Sequence, residues 1–332
     1  MNPTRTLKRV LACAALCAST AGFADIVITS EIPMATNPSP YIVQFLDEVA
    51  KRTNGELKGK YFAASQLYND RDAIGAIGTG AVHMVWPVTS RLEQVDPRIG
   101  VASLPFMLSS REMTNACFAK GFTQQISSYI EPKGMRVLGL LRTADLMFLM
   151  KSRDVQRPED LKGQKVRVVG GQIMLDAMRT VQASPISMSA SEMSAALAQG
   201  AIDGVMSSPA GWVDVLGATA KHGISVPGMA LATSAVVVDK SWFDKLPEAH
   251  RKAVQSVLDE IIARQWKETA AKDEELIKKM VSQGATHRVM RGEDVKRLKQ
   301  RFDAASQKFR DQHSEVVQKR DALEKQCMPA AS

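Results

Sequence analysis

Residues 157–168 read RPEDLKGQKVRV, and Arg167 carries the most chemistry in that run. It stands in Lys165-Val166-Arg167-Val168-Val169, whose β-branched residues predict a strand. A guanidinium fixed on a strand is a rigid fork of five donors that grips a carboxylate at two points. The carboxylate belongs either to a ligand or to an acid of the chain, and the run alone does not choose between them. Other chemistries are poorly served. No GxGxxG follows a strand and no Walker loop is present. There is no GxSxG elbow. His83, His222, His250, His287 and His313 are scattered without metal-ligand spacing. A Ser/His/Asp set could still assemble in space, but with no local signature an enzyme is not expected, nor a metal or organic cofactor. Its 17 methionines read mostly as flexible core filler.

The compartment follows from the start of the chain. Arg5, Lys8 and Arg9 precede the short apolar run Val10 to Ala21, too short to span a membrane. Residues 1–24 read as a signal peptide, with cleavage expected after Ala24, and no later apolar run reaches membrane-spanning length. A periplasmic protein that is not itself membrane-embedded is expected, and a monomer. Cys13 and Cys17 leave with the peptide. Cys117 and Cys327 remain, and an oxidising compartment lets them pair or stay as two separate thiols. The net charge of +8 falls to +5 without the three basic residues of the leader and is spread over helices with interleaved acids, and aromatics make up 5% of the chain. That pattern argues against a nucleic-acid partner, which needs a basic stripe interleaved with aromatics.

The elements that must hold Arg167 alternate in type. Strand-like runs fall at 25–29, 57–62, 82–86, 136–141, 148–151, 165–169, 204–207 and 235–238. Helical runs fall at 40–52, 70–78, 111–119, 124–130, 172–181 and 191–199, the last opened by Ser191 as cap. This is the signature of an α/β layered protein. From Pro247 to about Val281 one helical pattern runs for about 50 Å at 1.5 Å per residue, longer than a single small lobe. It is expected to bridge two. A charged helix from Glu293 to about Lys319 closes the chain. No linker is visible, so the chain is expected to cross between lobes more than once.

In their order, several segments resemble the periplasmic solute-binding proteins of TRAP transporters, the DctP family. They are Phe45-x3-Val49-x3-Thr53-x-Gly55, Ser65-Gln66-Leu67, Leu104-Pro105-Phe106, Arg157 to Arg167, Ser191-Glu192-x4-Leu197-x2-Gly200 and Ile202-Asp203-Gly204. The resemblance implies an α/β, two-lobed periplasmic binding protein of the Venus-flytrap, type II-like kind, with a long helix spanning both lobes. The expected division puts 25–144 and 233–271 in the first lobe, and 145–232 and 272–332 in the second. It implies that Arg167 clamps a ligand carboxylate, and that the partners are a small carboxylate and the permease subunits of a TRAP transporter.

Departures from the family pattern bear on the ligand. Leu146 stands where many members carry a second arginine, with Arg142 four residues away. Val88 replaces a glutamate of one branch, Ala190 a frequent phenylalanine, and Ser207 an amide. Arg91 matches a basic residue that some members point into the cleft. With Met188, Met206, Trp86 and Trp212, these residues make the expected site. One strong clamp in an apolar lining favours a monocarboxylate with a bulky, aromatic, α-keto or hydroxy body, because a second buried carboxylate would lack a partner. A C4-dicarboxylate receptor and a periplasmic sensor for a membrane kinase are the alternatives.

Overall fold

The computed structural model describes residues 26–328. The expected leader and its cleavage site lie outside the described residues. Among the described residues eleven strands form two sheets. In the first, the order is β2 (Gly59–Phe62), β1 (Ile26–Thr29), β3 (Met84–Val85), β10 (Leu231–Asp239) and β4 (Met135–Asp145). β1 lies parallel to β2 and β3, and β10 runs antiparallel to both of its neighbours. In the second, the order is β11 (Thr286–Val289), β9 (His222–Ser225), β5 (Met147–Met150), β8 (Gly204–Ser207), β6 (Lys165–Val168) and β7 (Ser184–Ser187). β6 is parallel to both β7 and β8, while β5 is antiparallel to β8 and β9. Helices cover these sheets; two apolar clusters fill the second lobe and two the first, one of which also takes in Ile173 and Phe309 of the second.

The lobes are joined where one strand becomes another. β4 runs into β5 with only Leu146 between them, and β9 leads through residues 226–230 into β10. The Leu146 N–H donates to Ala230 O at 2.9 Å, so the two crossings support each other. The helix Glu248–Ser282 is the third crossing, about 52 Å long. Its first half packs on β4 and on the helix Ser39–Arg52, and its far end reaches β11. Gln265 and Trp266 fasten it: Gln265 Oε1 accepts from Arg142 N at 2.9 Å, and Trp266 Nε1 donates to Leu140 O at 3.0 Å.

Several expectations change. The helical run at 111–119 breaks after Met113, because Asn115 turns its side chain onto Phe118 N at 3.1 Å and caps a new helix, Ala116–Ile130. Ser189, not Ser191, caps the helix Ala190–Gln199, in a reciprocal pair with Glu192. The last helical run splits at His313 into Glu293–Gln312 and Ser314–Cys327. Its second half does not stay with the second lobe, as the expected division had it. Ser314–Cys327 returns to the first lobe, where Gln125 Nε2 donates to Val316 O at 2.8 Å and Arg320 pairs with Glu112. Cys117 and Cys327 are disulfide-bonded, with Cα atoms 5.5 Å apart. β7, β9 and β11 are strands that the sequence pattern did not announce.

Candidate functional site

Arg167 is the third residue of β6, between β7 and β8. Alternation along the strand sends Val166 and Val168 into the apolar cluster around Met174 and Met178, and turns Arg167 to the other face. The guanidinium is only 2% exposed. Its Nε and Nη2 donate to Met188 O at 3.1 and 3.0 Å, and Nη1 donates to Met206 O at 3.3 Å. Among the described residues it forms no salt bridge. Burial pulls its pKa down to about 10; Glu31 opposes that shift and the nearby Arg91 adds to it.

Arg91 reaches the same place from the first lobe, from the 3₁₀ turn Thr89–Gln94. Its Nη2 donates to Met188 O at 3.0 Å and its Nη1 to Ser187 Oγ at 3.4 Å. The Met188 carbonyl thus collects three N–H groups from two guanidiniums, one from each lobe. Arg91 lies 3.9 Å from Glu31 Oε1, and its Nε has no protein partner. Glu31, just past β1, accepts from Ala190 N at 3.0 Å, and its own N–H donates to Asp70 Oδ1 at 3.1 Å. Asp70 is buried; loss of solvent and then the charge of Glu31 push its carboxyl up to about 8.

Next to the turn that carries Arg91 lies a pocket of about 550 Å³, open solvent at its mouth included. Residues 88–90 and 102–104 of the first lobe, 168–170 of the second, and 230–233 at the crossing form its wall, with Leu108, Leu146, Met174 and Met206. Both lobes therefore contribute. The lining contains no charged residue; its polar side chains are the hydroxyls of Thr89, Ser90, Ser103 and Thr233.

The predicted residues divide into groups. Val88, Leu146 and Met206 line this pocket, Leu146 at the hinge itself. Arg167, Arg91, Met188 and Ala190 meet one another through the contacts just given but do not line the pocket. Ser207 is buried on β8 opposite Met147, outside the pocket wall. Neither tryptophan lines the pocket. Trp86 packs on Phe45 with ring centroids 5.7 Å apart, inside the first lobe. Trp212 lies in the core of the second lobe, with its ring over Gly223 and Nε1 donating to Ala220 O at 2.8 Å. Arg142 is bound within the protein, to Asp273 at 2.7 Å and Asp145 at 2.9 Å. Glu31 and Asp70 escaped the sequence reading. Asp70 had a signal, as an acid opening a helix after Asn69, whereas nothing local marks Glu31. Among the described residues no group of three or more His, Cys, Asp or Glu is placed to hold a metal, and no helix is long and apolar enough to cross a membrane.

Known proteins share this architecture. The family model described as DctP, bacterial extracellular solute-binding protein, family 7, matches residues 33–312. The chain is 26% identical over 224 residues to the C4-dicarboxylate-binding periplasmic protein DctP of Shewanella loihica, covering 67% of this chain and 66% of that protein. It is 25% identical over 243 residues to the 2,3-diketo-L-gulonate-binding periplasmic protein YiaO of Escherichia coli, covering 73% and 74%. A Bordetella pertussis extracytoplasmic solute receptor binding pyroglutamic acid has the same fold, with a TM-score of 0.83 at 23% identity, covering 91% of this chain and 99% of that one. With its two lobes, its hinge strands and a family match over most of its length, the chain belongs to the DctP family of bacterial extracellular solute-binding proteins, which serve transport and are not enzymes.

Proposed function

We propose that the protein captures a small organic acid between its lobes through Arg167 and delivers it to the membrane permease of a TRAP transporter. One observation carries this reading. A buried guanidinium of the second lobe shares the Met188 carbonyl with Arg91 of the first and is met only by backbone carbonyls. A buried charge without a counter-ion is costly, and a ligand carboxylate supplies the missing partner. Relatives support the class of ligand: besides those above, a Shewanella oneidensis protein of this fold was solved with bound succinate, and one from Desulfovibrio salexigens with bound orotic acid.

Within that class the pocket favours a monocarboxylate. The two buried arginines are partly balanced by Glu31, and one carboxylate completes the balance. Arg142 is engaged by Asp273 and Asp145, and the pocket wall holds no further cation for a second carboxylate. Its hydroxyls suit a keto or hydroxy group next to an apolar body. With both tryptophans packed in the cores, shape and apolar contact rather than ring stacking select that body. The C4-dicarboxylate alternative has one point in its favour, since Arg91 adds a second guanidinium at the site; it stands beside Arg167 on the same carbonyl, not across the pocket.

A thermal-shift screen with keto, hydroxy, aromatic and dicarboxylic acids is expected to give its largest shifts with monocarboxylates. A large shift with succinate or malate and none with the others would refute the choice of ligand. By calorimetry, Arg167→Ala is expected to weaken binding of the best acid by about 2–5 kcal/mol. Unchanged affinity would remove Arg167 from its role.

A further inference from the structure

The turn after β6 brings two glycines to the lobe boundary. Gly170 and Gly171 have φ of +155° and +86° and precede the helix Gln172–Thr180. Each meets a side chain from the first lobe. A Cβ on Gly170 would lie 3.1 Å from Arg91 Nη1, and one on Gly171 would lie 2.4 Å from Glu93 Oε1. Arg91 and Glu93 come from the same 3₁₀ turn, so that turn sits in a saddle that only glycines leave open. Arg91 continues to the carboxylate site. Glu93 takes a different course. Its Oε2 accepts from Gln172 N at 2.7 Å, across the boundary, at the first residue of a nine-residue helix. That N–H belongs to the first turn, which lacks an intrahelical acceptor, and the helix dipole favours an anion there. Glu93 Oε1 is sealed from solvent without a partner, and among the described residues Glu93 forms no salt bridge.

We propose that Glu93 is a positioning residue for the carboxylate clamp: it latches the second lobe to the first at Gln172 and so fixes the turn 168–170 that follows Arg167 and walls the pocket. Closure is then built partly into the protein and does not depend wholly on the ligand. The inference rests on the two-lobed receptor reading given above, because a latch matters only where lobes separate.

The test uses the exported protein with spin labels on Asp47→Cys in the first lobe and Arg153→Cys in the second, both exposed positions. Pulsed electron paramagnetic resonance reads the interlobe distance without added acid. At about pH 8.5, where Glu93 is ionised, Glu93→Ala is expected to reduce the ratio of short to long distances by about tenfold, the scale of a hydrogen bond to a charged group. Gly171→Ala, which displaces the carboxylate from the other side, is expected to act in the same direction. The double variant is expected to open no further than the single ones, since both remove one contact. An unchanged distance distribution in Glu93→Ala, with a normal circular dichroism spectrum, would overturn the proposal. So would full additivity of the two substitutions. Because no acid is present, the distances decide on the latch alone; failure of the clamp would appear separately, as unchanged calorimetric affinity in Arg167→Ala.

Discussion

Arg167 and Arg142 are both buried arginines, and what answers their charge separates them. Arg142 donates to Asp273 and Asp145, whereas Arg167 donates to carbonyls alone. Removing one partner of a buried ion pair costs about 3–5 kcal/mol, because the other charge is left unpaired. Replacing a buried charge that has no counter-ion by an apolar chain of similar length recovers desolvation energy instead. Arg142→Met is therefore expected to lower stability by about 3 kcal/mol and leave ligand affinity unchanged. Arg167→Met is expected to hold or raise stability and abolish binding. Denaturant melts and calorimetry on the two variants check both halves. An equal stability loss in each would make Arg167 a structural residue. In the sequence the two arginines look alike. The strand of Arg167 was legible because its pattern is local, but the ion pair of Arg142 with Asp273 joins residues 131 positions apart. Trp86 and Trp212 misled for the same reason: residue type suggested ring stacking, while core packing took both side chains.

At the scale of elements, Asp70 ties two of them at the cleft edge of the first sheet. It opens the helix Asp70–Ala76 and accepts the N–H of Glu31 after β1. Burial and Glu31 raise its carboxyl to about 8, and burial alone raises that of Glu93 to about 7. Both values lie above the ordinary carboxylate range, so between pH 5 and 8 the folded protein holds protons that the unfolded chain has released. The stability these groups supply is whole below about pH 4 and is lost as pH rises through their folded values. Asp70→Asn is expected to flatten the fall of melting temperature between pH 5 and 8; a slope equal to that of the unaltered protein would show that Asp70 titrates normally. The elements themselves were legible where strands are buried and central, as in β8 and β10. β7 and β11 lie at sheet edges with alternate residues exposed, and β7 carries Pro185, so neither shows the pattern of a buried strand. β9 contains Gly223, kept small beneath Trp212, which hides it from a propensity reading.

For the whole molecule the decisive connections are long-range. The alternation of elements, the length of one helix and the family motifs made two lobes readable. They could not show that the chain returns to the first lobe after His313, since the final helix has little apolar periodicity and depends on Glu112, Gln125 and Cys117 to hold it. The disulfide closes a loop with a sequence separation of 210. On the chain-entropy model a loop of that size contributes about 5 kcal/mol by restricting the unfolded chain. Neither cysteine lines the pocket. Replacing both by serine is thus expected to lower the melting temperature markedly and loosen the helix Ser314–Cys327, with hydrogen exchange rising there and in Ala116–Ile130 first. Affinity for the acid is expected to stay within about twofold, because the hinge strands, Arg91 and Arg167 keep their supports. A large loss of affinity with unchanged melting would reverse this division of labour, and would place the C-terminal helix in the closing motion instead of in the scaffold against which the lobes close.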